Sequence, residues 1–378
     1  MPHICLTMIV KNEARNILRC LNAARAAIDS LSICDTGSSD NTMALIQGWA
    51  SAQGLPLALH QQPFVDFGHN RTLALELAQQ SFPQADYCLL LDADMLLQVQ
   101  TDWDKSALQA AHYLLLQRNA HIEYWNTRLV SARLPWRCVG VTHEYWESPA
   151  LRLEDRQQLQ SLWIDDREDG GHKAHKFQRD LALLENALQN PQLDAALRCR
   201  YVFYLAQTHR DLQQHAQALH YYRERAAAGG WEEERWYALF QQAVVLERIA
   251  AAAQADNSEV PAAYLAAWQA RPSRIEPLVE LARYYRQRQQ YHLAFIYAQH
   301  AASLPMTGDI LFVDAAAYQW RALDELSIAA AWALRDSTDG QPYADAGVQA
   351  MRKLLQEKRY PAHEAARIAA NAAFLPGL

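Results

Sequence analysis

Two patterns of apolar residues divide the chain. Over the first 178 residues, short apolar runs of strand length at 4–10, 31–34 and 87–91 alternate with segments whose apolar residues recur every three or four positions. This alternation is typical of βαβ units that build a mixed, mostly parallel sheet with helices on its faces. Beyond it, strand patterns disappear and leucine, alanine and aromatic residues recur at helical spacing. The pattern predicts an α/β domain over residues 1–178 and an all-α domain over residues 179–378.

The second half carries a repeated pattern. Residues 278–285 and 291–301 place large, small and aromatic side chains as tetratricopeptide (TPR) helix pairs do, and residues 204–222 form a weaker copy. We expect roughly two to four TPR-like repeats, in which small residues let helices approach and large ones fill the shared core. The aromatic and alanine stripes are therefore predicted to be core.

Composition narrows the class of protein. A chain of 378 residues exceeds what one hydrophobic core usually serves, which favours two domains. Its net charge of −7 gives no basic footprint for nucleic acid or an anionic membrane. The six cysteines form no C-x-x-C pair, which favours reduced core thiols. No leader and no run of roughly 20 apolar residues is evident, so we expect a cytoplasmic protein without a transmembrane segment.

Two carboxylates follow the most apolar run of the first half. The run Tyr87–Leu91 reads as a buried central strand, and Asp92 and Asp94 follow at its carboxyl end. On a strand, residues two apart face the same side, so the two carboxylates would lie together. Such a pair suits a hard divalent cation, Mg²⁺ or Mn²⁺, which keeps open positions for substrate phosphates. The alternative is an acidic turn after a core strand.

Other polar residues follow the neighbouring predicted strands. The loop at 11–13 lacks glycine, which disfavours a dinucleotide-binding turn. Asp35, at the end of the second strand, is placed to accept hydrogen bonds from a base or ribose, although a helix-capping loop also explains residues 37–42. Asn70 and Arg71 open a predicted helix, where they are candidate diphosphate or base contacts or parts of a capped surface helix.

An aromatic loop later in the first half is a candidate acceptor pocket. Trp136 and Trp146 flank His143 and Glu144. Indole faces pack on pyranose rings, and a carboxylate can deprotonate an attacking group. Glu144 is therefore the candidate general base, and a salt-bridged structural glutamate is the alternative.

Taken together, these motifs resemble a known family. Ile9 to Glu13, Asp35 to Thr42, Asn70-Arg71 and Asp92-Ala93-Asp94, in this order and spacing, resemble the family 2 glycosyltransferases of GT-A fold over about the first 180 residues. The resemblance implies a nucleotide-sugar donor, with Asp35 on the nucleoside and the D-x-D pair holding the cation on the diphosphate. The implied donor contacts are Val10, Asn12, Glu13, Asp35, Ser38, Asn70, Arg71, Asp92 and Ala93.

The resemblance also implies a histidine in the metal shell. His172, in a loop with Gly170 and Gly171, is the best match, and His175 and His143 are the alternatives. Glu325 to Ile328, after Leu311 to Val313, resembles the terminal region of transferases that join this catalytic domain to helical repeats.

These observations predict a metal-dependent, inverting glycosyltransferase. The expected donor is a UDP-sugar, and the expected acceptor is a glycan or a peptide. We expect the helical repeats either to hold the acceptor or to form a homodimer. The alternatives are a nucleotide-binding TPR scaffold without chemistry and a metal-dependent nucleotide-diphosphate phosphohydrolase.

Overall fold

The chain divides into two compact units, Met1–Pro191 and Gln192–Leu378. The computed structural model describes residues 1–377 apart from 120–122, 153–154, 168, 171–175, 256 and 339. The sequence-based boundary at residue 178 falls inside a helix, Lys176–Leu188. That boundary remains a prediction about which segments fold independently.

The first unit is a mixed sheet covered by helices. Its helices are α1 Ile17–Ala24, α2 Thr42–Gln53, α3 Phe67–Ser81 and α4 Lys176–Leu188. Its strands are β1 Ile4–Val10, β2 Ser30–Asp35, β3 Leu57–Gln61, β4 Tyr87–Leu90, β5 Met95–Val99, β6 His112–Arg118, β7 Glu123–Ser131, β8 Arg137–Val139, β9 Tyr145–Glu147 and β10 Arg156–Asp166.

Among the described residues, eight strands form one sheet in the order β3-β2-β1-β4-β7-β6-β10-β5. The first four run parallel, β7 is antiparallel to both β4 and β6, and β10 is parallel to β6 and antiparallel to β5. Strands β8 and β9 form a separate antiparallel pair. The predicted α/β class with a mixed, mostly parallel sheet is confirmed.

The central strands are apolar on both faces because helices cover both faces. Along β1, Leu6 and Met8 join the core cluster that includes α1 and α2. Cys5 points the other way and packs with Leu75 and Ala78 of α3. This arrangement brings the carboxyl ends of β1 and β4 and the beginning of α3 to one edge of the sheet, where ligands bind in open α/β folds.

The second unit is helical, as predicted. Its α-helices are α5 Ala195–Asp211, α6 His215–Ala227, α7 Glu232–Ala252, α8 Glu259–Ala270, α9 Glu276–Gln287, α10 Tyr291–Ser303, α11 Ala322–Arg335, α12 Gln341–Glu357 and α13 Ala365–Asn371. Each helix from α5 to α12 packs against the next in sequence. Tyr222, Tyr264, Ala282 and Ala298 are buried, which confirms that the aromatic and alanine stripes are core.

A buried arginine fixes the long connection after α10. Arg274 is fully buried, and its guanidinium lies 2.9 Å from Glu276 and 3.3 Å from Asp309. It also donates to the carbonyls of Leu311 and Phe312, each at 3.1 Å. Since a buried charge is tolerated only when it is paired and hydrogen-bonded, this cluster holds the connection against the repeats.

Across the part of the chain that the structure describes, no helix combines the length and the apolar character needed to span a bilayer.

Candidate active site

A cleft of about 440 Å³ opens in the first unit at the carboxyl ends of the central strands. It is lined by the end of β1, the start of α3, the connection between β4 and β5, and residues from β7, β10 and α4. Acidic and basic side chains both line it: Glu13, Asp92, Asp94 and Asp166, and Lys11, Arg71, Lys176 and Arg179. The cleft therefore suits a ligand that brings both positive and negative charge.

Asp92 and Asp94 lie in a turn, and the prediction that they extend the strand was wrong. Strand β4 ends at Leu90, and the Met95 amide donates to the Asp92 carbonyl at 3.0 Å, which reverses the chain into β5. Pairing with β7 ends at Leu89, so no ladder continues through the two acids. Both residues still line the cleft, because the tight turn brings them together as the strand would have done.

Asp92 is held as a carboxylate by two arginines. Its Oδ1 lies 2.6 Å from Nη1 of Arg71, and its Oδ2 lies 3.9 Å from Nη1 of Arg128. Burial acts to raise the pKa of Asp92, but the charges of Arg71 and Arg128 outweigh it and hold that pKa below its usual value. Asp92 therefore reaches the cleft with its charge already paired.

Asp94 has a different environment. Its Oδ2 accepts the amide N–H of Gly170 at 3.1 Å, and within the described residues no cationic side chain pairs with it. Burial, together with the negative charges of Asp92 and Asp166, raises the pKa of Asp94 to about 6. A bound divalent cation would relieve this repulsion, so the donor set at the turn fits a hard cation.

We looked for metal ligands besides Asp92 and Asp94. The described residues contain no group of three His, Cys, Asp or Glu side chains arranged to hold a metal ion. His172 and His175 lie outside the described residues. His143 is exposed and is not among the residues that line the cleft. The residues present match the pattern in which one or two carboxylates and substrate phosphates hold the ion.

Glu144 is joined to the acidic turn through Arg71. The Nε of Arg71 donates to Oε1 of Glu144 at 2.6 Å while its Nη1 contacts Asp92. All three side chains are largely buried, and although burial opposes it, the charges of Asp92 and Glu144 raise the pKa of Arg71. Glu144 is therefore salt-bridged, and its Arg71 partner is a cleft residue.

The position of the first turn of α3 allows Arg71 to reach Glu144. The amides of Phe67 and Gly68 donate to the carbonyls of Val141 at 3.1 Å and Gly140 at 3.0 Å. A Cβ on Gly68 would lie 2.5 Å from the Gly140 oxygen, so only glycine allows this approach. Arg71, one turn further along α3, then reaches Glu144.

The loops after β1 and β2 hold each other. Asp35 accepts the Ser38 amide at 3.1 Å, and Ser38 Oγ accepts the Asn12 amide at 2.9 Å. The side chain of Asn12, whose φ is 56°, accepts the Ser39 amide at 2.7 Å. Asp35 is buried, so in this structure these residues order the loops, and nucleoside contact by Asp35 and Ser38 remains a prediction.

Val10, Glu13 and Ala93 line the cleft directly, as expected for donor contacts. Val10 and Ala93 are nearly buried, and the Val10 carbonyl accepts the amide N–H of Thr36. A role for these residues in donor binding remains a prediction.

Two predicted contact residues belong to the core. Asn70 is fully buried; it accepts the Val65 amide at 2.8 Å and donates to the Pro63 carbonyl at 2.9 Å. Trp136 is 4% exposed, and its indole N–H donates to the Ser131 carbonyl at 2.9 Å. Neither side chain has a free face for a ligand, so Asn70 is corrected to a loop anchor and Trp136 to a packing residue.

The remaining acceptor residues are not brought into the cleft. Trp146 packs partly buried against the cluster that contains Trp136. His143 is exposed, with a left-handed φ of 51°. Instead, the aromatic residues at the cleft are Phe64, Phe67 and Tyr124. Acceptor contact by Trp146 and His143 remains a prediction.

Sequence reasoning missed several charged cleft residues. Asp166 ends β10, and Gln117 connects it to Arg128: the Gln117 side chain donates to Asp166 at 2.7 Å and accepts from Arg128 at 2.9 Å. The strand pattern before Asp166 was visible, and a carboxylate at a strand end was the available signal. Lys176 and Arg179 carried no signal, because their segment reads only as the beginning of a helix.

Comparison with known proteins agrees with the resemblance seen in the sequence. Residues 5–112 match the family model "Glycosyl transferase family 2". The first unit carries a family 2 glycosyl transferase domain. The matched segment of this transferase domain includes Arg71, Asp92 and Asp94 and ends before Glu144.

Proteins similar to this chain include proteins with TPR repeats. A TPR repeat-containing protein of Synechococcus elongatus is 36% identical over 104 residues, which cover 27% of this chain and 23% of that protein. The match thus spans about a quarter of the relative's length. A crystal structure of Staphylococcus aureus TarS residues 1–349 aligns with a TM-score of 0.34 and 13% identity over 66% of this chain and 82% of that one. A thermophilic TPR protein of Thermus thermophilus aligns with a TM-score of 0.33 and 17% identity, and the alignment covers 53% of this chain and 92% of that protein.

Proposed function

We propose that the protein is a metal-dependent glycosyltransferase that moves a sugar from a nucleotide-sugar donor, expected to be a UDP-sugar, to a glycan or peptide acceptor. The observation that carries this proposal is the cleft of the family 2 domain, where Arg71 binds Asp92 of the Asp92–Asp94 turn. Arg71 also binds Glu144, which is not itself among the residues that line the cleft. A diphosphate with its divalent cation carries both negative and positive charge, as the cleft requires of its ligand. Sugar transfer also needs a base for the proton of the acceptor, and a carboxylate can supply it.

Asp94 would hold the cation, Mn²⁺ or Mg²⁺, with Asp92 beside it. Such an ion supplies electrostatic stabilisation to a diphosphate when it is bound. The chain's own contribution is to keep both carboxylates at the turn, with Arg71 and Arg128 fixing Asp92 and the Gly170 amide orienting Asp94. His172 remains a proposed further ligand.

Glu144 would act as the general base. In a single displacement, the acceptor oxygen forms a bond to the anomeric carbon, the bond from that carbon to the diphosphate oxygen breaks, and the acceptor proton passes to the Glu144 carboxylate. Arg71 orients that carboxylate through a 2.6 Å hydrogen bond. One displacement inverts the anomeric configuration of the transferred sugar.

The helical unit would hold the acceptor, because stacked repeats present an extended surface. Homodimerisation through the repeats is the other role we propose for it. A cytoplasmic location is a further proposal, and the six free cysteines support it.

The test is turnover of a panel of nucleotide sugars by the full chain, with and without Mn²⁺. We expect one donor to release its nucleoside diphosphate in a Mn²⁺-dependent reaction, with NMR showing an inverted product when the acceptor is supplied. Binding of nucleotides without turnover of any donor would indicate a scaffold. Release of inorganic phosphate from a nucleoside diphosphate without sugar transfer would indicate a phosphohydrolase.

A further inference from the structure

The basic side of the cleft is formed in part by the first turn of α4. Lys176 and Arg179 both line the cavity that contains Asp92 and Asp94. The helical pattern of this segment groups it with the second half of the sequence, yet α4 belongs to the first unit. These two cations therefore belong to the donor cleft and have no role in the site described so far.

Arg179 is held in place but not neutralised by a strong ion pair. Its guanidinium carbon lies 4.8 Å from the centre of the Phe67 ring, and its contact with Asp180 is long, at 3.4 Å. Asp180 is buried, and burial raises its pKa despite the neighbouring Arg179. The side chain of Arg179 keeps 33% of its surface exposed, so its N–H groups can reach a ligand.

Lys176 is exposed, and in the part of the chain that the structure describes it makes no ion pair. Neither Lys176 nor Arg179 pairs with the acids of the turn, although all of them line one cavity. Asp94 and Lys176 have no ion partner among the described residues, so they leave charges of opposite sign in one cleft, and such a cleft is complementary to a ligand that carries both signs. A diphosphate with its divalent cation is such a ligand, since the cation meets the carboxylates and the phosphate oxygens meet the basic groups.

We infer that Lys176 and Arg179 bind the diphosphate of the donor and stay with it as it becomes the leaving group. This inference rests on the proposed function and adds a subsite to it. Arg179 supplies a planar, forked set of N–H donors to phosphate oxygens, and Lys176 supplies a compact positive charge. As the bond to the sugar breaks, negative charge grows on the diphosphate, so both groups stabilise the transition state more than the bound donor.

The test is calorimetric titration of the full chain with UDP and with inorganic pyrophosphate, each with Mn²⁺. We expect Lys176→Gln and Arg179→Gln each to weaken binding of both probes by roughly 10- to 100-fold, since a hydrogen bond to a charged group is worth one to two factors of ten. Pyrophosphate has no base or sugar, so a parallel loss for both probes locates the effect at the phosphates.

Arg133→Gln is the matched control, because Arg133 is an exposed arginine of the same unit that pairs with Asp86 and does not line the cleft. It should bind both probes as the wild type does. Titration of Lys176→Gln and Arg179→Gln with Mn²⁺, monitored by electron paramagnetic resonance, should show the same Mn²⁺ affinity as the wild type. Equal melting temperatures would show that the variants are folded.

The outcomes separate the inference from the function on which it rests. If the wild type binds UDP and both glutamine variants bind it equally well, the α4 subsite is wrong and the proposed function stands. If the wild type binds neither UDP nor any of GDP, ADP, CDP and TDP with Mn²⁺ or Mg²⁺, the proposed function fails and the subsite fails with it.

Discussion

The contact between α3 and the loop before Glu144 makes Gly68→Ala an informative perturbation. The added methyl would sit 2.5 Å from the Gly140 carbonyl oxygen and 2.9 Å from that of Cys138. Backbone atoms cannot rotate away as a flexible side chain can, so α3 must shift. The shift would also lengthen the two hydrogen bonds from the Phe67 and Gly68 amides.

The magnitude follows from these contacts. Overpacking costs about 1–3 kcal/mol, and two weakened backbone hydrogen bonds cost about 1 kcal/mol each. Replacing glycine by alanine in a helix returns at most about 1 kcal/mol. The net loss in the free energy of unfolding should be about 2–4 kcal/mol, which lowers the melting temperature of a unit of this size by several degrees.

Gly48→Ala provides the matched control. Gly48 lies within α2, and a Cβ there would meet nothing within 4 Å. This variant should gain about 0.4–1 kcal/mol, because only the unfolded chain loses freedom. Thermal unfolding followed by circular dichroism measures both variants. If Gly68→Ala were as stable as Gly48→Ala, the close approach of α3 to residue 140 would be refuted, together with its role in placing Arg71.

Three further predictions concern catalysis and the two units. Glu144→Gln should leave the dissociation constant of the donor nearly unchanged and lower kcat by roughly 10²–10⁴, measured by steady-state kinetics; an equal loss of donor binding would mark Glu144 as structural or as a donor contact. Arg274→Met removes the ion partner of buried Glu276 and one of the two arginines that contact Asp309, so it should lower the free energy of unfolding by about 3–5 kcal/mol in urea titrations. An unchanged midpoint would contradict the buried network. A protein truncated to residues 1–191 should bind donor and metal but lose transfer to its acceptor; full transfer would place the acceptor pocket wholly in the first unit.

The sequence predicted the parts of the fold that depend on local patterns. Strands β1 and β4 were visible because both of their faces are buried, which leaves continuous apolar runs. The repeats were visible because small and aromatic residues recur along their helices. The turn at Asp92 was missed because β4 ends at Leu90, one residue past its last pair with β7, and that pairing joins residues about 40 positions apart.

The candidate site was predicted in part for the same reason. Asp92, Asp94 and Arg71 stand beside recognisable strand and helix ends, and they lie in the cleft. The pairing of Arg71 with Glu144 joins residues 73 positions apart, and no local pattern encodes it. Asn70 and Trp136 were misjudged because a polar or aromatic residue in a loop gives no sign of its burial.

The measurement that tests the central claim most directly is titration of the wild-type chain and Asp94→Asn with nucleotide sugars, with and without Mn²⁺. We predict that one donor binds the wild type in a Mn²⁺-dependent manner and that Asp94→Asn loses this dependence, because a neutral amide cannot replace the carboxylate that holds the cation and the diphosphate together. Mn²⁺-dependent donor binding that is unchanged in Asp94→Asn would place the metal elsewhere. The absence of metal-dependent binding to any nucleotide sugar in the wild type would contradict the assignment as a metal-dependent glycosyltransferase.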